Sequence, residues 1–275
     1  MPWKSQCRYP LEVGQRAVSF YSVSFPVLIA EAVRPKVYQI RGEIEGTAFR
    51  IGGTLFMTAG HVVTTIKSSG MTGVVGVFDR NGREMRALAI SRSEVIDGDV
   101  GIVETEAVDR ESGESSESLP WSTRSIGHFD DLCSVGYAYG FYRSKDRNSI
   151  IQRVFRGYVV ADPVDFAPIG YPRDGFAAFE LSFAAPRGLS GAPLILDRAG
   201  VLQVAGVVIG NSQSRMPILE REDVSDDGHE RVIVQQYESL TLGIATQARA
   251  ILDQRSELLR GTVREYLKSA RLLGA

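Results

Sequence analysis

The sequence predicts an all-β protein made of two antiparallel six-stranded β-barrels followed by C-terminal helices. Three observations carry that expectation. Short runs rich in Val, Ile and Phe, many of them alternating apolar with polar residues, recur along the chain with Gly-containing turns between them. They fall into two sets of about six, the number a small closed antiparallel barrel uses. A polar stretch at 109–122, rich in Ser and Glu and holding Pro120, separates the two sets.

In the first set the runs lie at 37–41, 47–51, 54–58, 73–78, 86–91 and 100–104. Gly52-Gly53 turns the second run into the third, and Asn81-Gly82 is a strong hairpin signal, because a two-residue hairpin turn needs positive φ. In the second set the runs lie at 132–138, 150–161, 176–183, 193–196, 201–210, 231–237 and 240–245. From 246 onward the period becomes helical, with Ile251, Leu258, Leu259, Val263 and Leu267 on one stripe and Gly261 as a break. The organisation that follows is an N-terminal extension over 1–36, a first barrel over 37–108, a connection over 109–130, a second barrel over 131–246 and helices over 247–275.

A chain of 275 residues can bury a substantial core as one large domain or two small ones. Its net charge of −2 gives no electrostatic reason to expect nucleic acid or an anionic membrane as partner. The first residues carry no apolar signal core. The run at 20–30 is interrupted by Pro26, begins too late for a secretion signal and is too short to span a bilayer. A cytoplasmic protein is the expectation. Cys133 lies in an apolar run and reads as a buried small hydrophobe, with a disulfide to Cys7 as the lesser alternative in a reducing compartment.

The chemistry concentrates in Pro186-Arg187-Gly188-Leu189-Ser190-Gly191-Ala192-Pro193. A hydroxyl is a weak nucleophile until a base takes its proton, and amides aimed at a developing oxyanion need a sharply turning chain. Gly188 and Gly191 flank Ser190 as that demands, just before an apolar strand. Turns also use such residues freely. Upstream, Thr58-Ala59-Gly60-His61 reads as a strand ending in a short helical turn, a place that fixes an imidazole to act as base and then acid. The other histidines, His128 and His229, lie in polar surroundings and read as solvated. Asp99 enters the strand Val100-Gly101-Ile102-Val103, an expensive place for a carboxylate without a partner, whereas Asp97 beside Gly98 reads as a turn residue. Together these make a nucleophile, a base and an orienting carboxylate in the chain order His, Asp, Ser.

On these motifs the chain resembles the trypsin-like (chymotrypsin-fold) serine peptidases over about 37–252, and within them the disulfide-poor bacterial branch that includes the high-temperature-requirement proteases. The resemblance implies catalytic His61, Asp99 and Ser190, with the amides of Gly188 and Ser190 as the oxyanion hole. It also implies that Gly206-Val207-Val208-Ile209-Gly210 binds substrate backbone and that Leu242-Gly243-Ile244-Ala245 is the neighbouring pocket strand. Ala184 and Ala185 would lie near the pocket floor, with Ile209 and Gly243 on its walls and Gly210 beside them. No acidic residue stands there to receive Lys or Arg, so an apolar P1 side chain of small or medium size is expected. Departures from the family pattern are Leu189 in place of the Asp used in zymogen activation, Ala192 in place of a glycine, and no cysteine beside His61.

No metal or organic cofactor is expected. The expected substrate is protein or peptide, and a regulatory protein partner is a further expectation. The charged segment 213–230, with Glu220, Glu222, Asp223, Asp226 and Asp227, reads as a surface loop beside the site, either a plain solvated excursion or a lid or docking loop. Arg255, Arg260, Arg264, Lys268 and Arg271 read as the solvated face of helices whose Leu259, Val263 and Leu267 turn inward. The reading is a serine endopeptidase acting through an acyl-enzyme. Its alternative is a catalytically silent domain of the same fold, used for binding or as a scaffold.

Overall fold

The computed structural model describes residues 33, 36–41, 45–70, 72–78, 85–106, 118–138, 141–143, 148–162, 175–198, 200–224 and 231–273. The first set of strands comprises β1 (Val37–Arg41), β2 (Glu45–Gly52), β3 (Leu55–Ala59), β4 (Val74–Phe78), β5 (Met85–Ile96) and β6 (Val100–Thr105), with helix α1 (Gly60–Ser69) between β3 and β4. They close in the order β1-β2-β3-β6-β5-β4, sealed by the antiparallel pairing of β1 with β4. Successive side chains of a strand point to opposite faces. Ala48 accordingly joins Tyr38, Ile40, Phe56, Val75, Leu88 and Val103 in the barrel core, onto which α1 packs Val62, Val63 and Ile66. The alternate residues Phe49 and Ile51 face the other way, toward the second barrel and the C-terminal segment.

The second set is β7 (Asp131–Gly136), β8 (Phe141–Arg143), β9 (Asn148–Ile150), β10 (Arg153–Ala161), β11 (Ala178–Leu181), β12 (Pro193–Arg198), β13 (Val201–Val224) and β14 (Arg231–Gln247). Six of these close as β10-β11-β14-β13-β12-β7, while β8 and β9 pair only with each other. The core holds Leu132, Val159, Phe179, Leu181, Leu194 and Val208, together with Leu189 and Ala192 from the segment that carries Ser190. The two closed six-stranded barrels are the architecture the sequence predicts.

The chain finishes with α2 (Ala248–Leu252), the two-residue strands β15 (Arg255–Ser256) and β16 (Gly261–Thr262), and α3 (Val263–Ser269). The helical stripe therefore resolves into two short helices, with Leu258 and Leu259 on the turn between β15 and β16. A capping box starts α3, in which Thr262 and Glu265 each bond the other's backbone amide. Val263 and Leu267 are buried and Lys268 exposed, as their spacing requires. Ile251, Leu252, Leu259, Val263 and Leu267 enter one cluster with Phe49, Met57 and Ile102 of the first barrel and Val135, Ile195 and Val204 of the second, so the segment covers the seam between the barrels.

Glu94 of β5 fastens the segment, accepting hydrogen bonds from Ser256 Oγ at 2.7 Å and from the amides of Glu257 and Leu258 at 3.1 and 3.2 Å. Burial pushes its carboxyl up, but the bonds from Ser256, Glu257 and Leu258 outweigh burial and hold it below the usual carboxylate range.

Two differences from the sequence reading stand out. Segment 213–230 is not a loop over most of its length. β13 and β14 run on as a paired ribbon from Gln213↔Thr241 to Val224↔Arg231, and the tip 225–230 lies outside the described residues. Inter-strand backbone pairing has overridden the weak strand preference of its Glu and Asp residues. Within the expected polar connection, Trp121 is fully buried, forms bridges to Val204 and Leu273, and lies 6.0 Å ring to ring from Phe49. Cys133 is buried and free, its thiol pushed up to about 12 by burial. Cys7, Asn81-Gly82 and His229 lie outside the described residues. Among the described residues no helix is long and apolar enough to cross a membrane.

Candidate active site

β3 delivers the chain to Gly60 and His61 at the start of α1, facing the turn that leads into β6. Gly60 has no alternative there, because a Cβ would stand 2.9 Å from Asp99 Oδ1 and 3.0 Å from the Asp99 carbonyl carbon. The Gly60 amide donates to the Asp99 carbonyl at 2.7 Å, and the His61 amide donates to Asp99 Oδ1 at 2.7 Å. The other carboxylate oxygen, Oδ2, lies 2.7 Å from His61 Nδ1. An ionised carboxylate only accepts, so Nδ1 carries the hydrogen and Nε2 presents its lone pair. The Asp99 side chain is 4% exposed and the His61 side chain 33%, so the carboxylate is shielded while the imidazole reaches solvent. Asp99 sits at φ 56°, a left-handed conformation uncommon outside glycine and found at strained functional positions. Across the interface, the Thr246 hydroxyl of β14 donates to the Gly98 carbonyl and pins this turn from the second barrel.

Ser190 lies in the second of two successive turns, 186–189 and 189–192. The Leu189 amide donates to Pro186 O at 3.0 Å and the Ala192 amide to Leu189 O at 2.9 Å. The third residue of each turn is a glycine, Gly188 at φ 89° and Gly191 at φ 88°, which marks both as type II. A β-turn uses only its last amide internally. The Gly191 amide is taken by Val208 O at 2.7 Å, and among the described residues no backbone group accepts from the amides of Gly188 and Ser190. Those are the two amides the sequence assigns to an oxyanion.

Gly191 packs against the end of β3, where a Cβ would collide with Thr47 O and Thr58 Oγ1 and stand 2.8 Å from the Ala59 amide nitrogen. Ser190 is thereby held beside the strand end that carries His61. Among the described residues its hydroxyl has one hydrogen bond, to Ile209 O at 3.5 Å, and none to His61. Catalytic hydrogen bonds often tighten only when substrate is bound.

Among the residues read as substrate-binding, Ala185 and Ile209 are buried, Ala184 is exposed, Gly210 is half-buried and Gly243 is buried. The Gly243 amide donates to Phe183 O at 2.8 Å, which fastens the segment before Ser190 to β14. Sequence reasoning missed Asn211. Its Oδ1 accepts from the Ala185 amide at 2.6 Å and its Nδ2 donates to Ala185 O at 2.8 Å. The carboxamide thus bridges β13 to the 184–187 segment. Nothing in its sequence neighbourhood signals this, because the partner lies 26 residues away. His128 pairs with Asp162 at 3.3 Å, both well exposed and in a different part of the second barrel. Among the described residues no group of three or more His, Cys, Asp or Glu gathers as a metal site would require.

The family described as trypsin-like peptidase domain matches residues 46–207. No curated protein matches the chain in sequence. Similar solved structures include the active form of the Rv3671c protease from M. tuberculosis, at 20% identity and TM-score 0.53 over 81% of this chain and 80% of that one. An inactive form of the same protease is similar at 20% identity and TM-score 0.52 over 81% and 88%. The MamO protease domain from Magnetospirillum magneticum is similar at 15% identity and TM-score 0.50 over 79% and 94%.

Proposed function

Because the chain belongs to the trypsin-like peptidase family, we propose that it is a serine endopeptidase whose triad is His61, Asp99 and Ser190. The observation that carries this reading is the double hold of Asp99 on the His61 amide and on Nδ1, each at 2.7 Å, which leaves Nε2 as an acceptor. Ser190 Oγ attacks the scissile carbonyl carbon as its proton passes to Nε2. Negative charge collects on the carbonyl oxygen, where the free amides of Gly188 and Ser190 receive it. The tetrahedral adduct collapses as imidazolium returns the proton to the departing amine. Water then attacks the acyl-enzyme by the same route in reverse, with Asp99 stabilising imidazolium each time.

The test is intact mass after incubation with a fluorophosphonate, beside Ser190→Ala. A single adduct on the wild type and none on the variant is expected. No adduct on either would favour the silent scaffold reading, or a site that a partner must complete.

The residues around Ser190 support a substrate class. Ile209 O lies 3.5 Å from the Ser190 hydroxyl, and the Asn211 carboxamide ties β13 to Ala185 on the segment that leads to Ser190. None of Ala184, Ala185, Ile209, Gly210 and Gly243 is acidic, so P1 is an apolar residue of small or medium size. Asn211→Gly removes both bonds to Ala185 and is expected to lower kcat/KM for peptides with an apolar P1 residue by about tenfold, the order of one net hydrogen bond. A peptide library varied at P1 reads this directly, and wild-type cleavage after Lys, Arg, Asp or Glu would refute it.

A further inference from the structure

We propose that Thr47 is a positioning residue for this reaction, a latch by which the barrel carrying the base holds the Ser190 loop of the other barrel in register. The inference rests on the peptidase reading above and goes beyond its triad and oxyanion amides.

Thr47 lies on the face of β2 turned toward the second barrel, the face it shares with Phe49 and Ile51, and it is fully buried. Each of its polar groups is used. The amide donates to Ser190 O at 2.9 Å, and the hydroxyl donates to Gly188 O at 2.7 Å. The hydroxyl also accepts from the Tyr137 amide at 3.0 Å, and the carbonyl accepts from the Thr58 hydroxyl at 2.7 Å. One residue therefore holds the carbonyls of both residues whose amides await the oxyanion. The contacts have been given room, since a Cβ on Gly136 would stand 2.7 Å from Thr47 Oγ1 and one on Gly188 2.5 Å from Tyr137 O.

Peptide units are planar, so fixing one orients its neighbours. The 188–189 unit is tied at its oxygen by Thr47 Oγ1 and at its N–H by Pro186 O. The 190–191 unit is tied at its oxygen by the Thr47 amide and at its N–H by Val208 O. The 189–190 unit between them is tied at its oxygen by the Ala192 amide, so the Ser190 N–H has its direction set from both sides. A hydroxyl that donates once and accepts once is what the Gly188 carbonyl and the Tyr137 amide require together. Valine has the same shape and can do neither, and it would leave both groups buried without a partner.

Thr47→Val, Thr47→Ser and the wild type are compared by fluorophosphonate labelling rate, by kcat and KM, and by amide hydrogen exchange across 186–192. Thr47→Val is expected to lower labelling rate and kcat by about 10²-fold, the scale of a small misplacement of reacting groups, with KM little changed. Exchange should quicken at Leu189 and Gly191 while amides in β4 keep their protection. Thr47→Ser restores all of these. If Thr47→Val does not fold, Thr47→Cys, whose S–H is only a weak donor, takes its place.

The proposal is overturned by near wild-type kinetics with unchanged exchange, by a serine variant as impaired as the valine, or by loss of protection throughout both barrels. A wild type that takes no fluorophosphonate counts against a preformed peptidase site, in favour of a silent scaffold or a site that a partner must complete, and not against the latch. The exchange comparison then still decides the latch, since quickening confined to 186–192 supports it and no quickening refutes it.

Discussion

Asp99→Asn is expected to lower kcat/KM by about 10⁴-fold, the loss seen when the carboxylate of such a triad becomes an amide, while the protein stays folded. Asp99 accepts from two donors of one residue, the His61 amide and Nδ1–H, each at 2.7 Å. A carboxamide has one accepting oxygen and one donating nitrogen, so it can satisfy only one of them. The backbone amide cannot change its character, whereas the imidazole can change tautomer. The variant therefore keeps its oxygen on the His61 amide and turns its NH2 toward Nδ1. The proton moves to Nε2, where it blocks acceptance from Ser190.

Backbone strain does not enter this loss, because Asn tolerates the φ of 56° at position 99 as readily as Asp does. Asp99→Ala would mix the two effects and is the poorer experiment. Fluorophosphonate labelling should fall along with kcat/KM, and a thermal unfolding midpoint close to wild type would show that the loss is chemical. A variant within tenfold of wild type would remove Asp99 from the mechanism. Loss of structure in place of activity would instead make its bond to the His61 amide a folding element.

How much of this could be read from the chain follows from the distance over which each residue acts. The His61 and Ser190 segments were legible because their chemistry writes itself locally: a strand running into Gly60-His61, and glycines on both sides of the serine with a strand behind. Asp99 was legible because a carboxylate opening an apolar strand needs a partner. Thr47 and Asn211 were not. Thr47 lies 141 residues from Gly188, and nothing near it distinguishes a latch from any threonine in a strand. Asn211 bonds both polar groups of Ala185 only because closure of the second barrel brings β13 past that segment. The barrel strands announced themselves through apolar runs, yet the ribbon at 213–224 did not. Its Glu220, Glu222 and Asp223 have the composition of a loop, and their strand conformation comes from pairing with 231–241. Trp121 was hidden for the opposite reason, as one large apolar residue set among polar neighbours that covers a seam belonging to neither barrel alone.

Gly191→Ala is expected to be among the most destabilising single-methyl additions available to this protein, and Gly200→Ala, at nearly the same φ, a mild one. Both glycines are left-handed, Gly191 at φ 88° and Gly200 at φ 83°, so both alanines pay the same conformational cost of about 1–2 kcal/mol. Space separates them. Around Gly200 nothing lies within 4 Å of a Cβ, and the turn is held by its amide donating to Asp197 Oδ1 at 2.9 Å, a bond an alanine keeps. Around Gly191 the new methyl meets Thr47 O, Thr58 Oγ1 and the Ala59 amide nitrogen. These are parts of two strands of the other barrel, and two of the three are backbone, so they cannot swing aside as a flexible side chain would. Overpacking adds about 1–3 kcal/mol, which puts Gly191→Ala at a total of about 2–5 kcal/mol. Relief can come only by moving the Ser190 loop away from β2 and β3, which lengthens the Thr47 contacts and draws the nucleophile back from His61. Denaturant midpoints for the two variants, read with their fluorophosphonate labelling rates, separate these effects. Gly200→Ala should lose a little stability and no reactivity, and Gly191→Ala should lose both. Equal midpoints would mean that the two barrels meet less tightly at Gly191 than these contacts require.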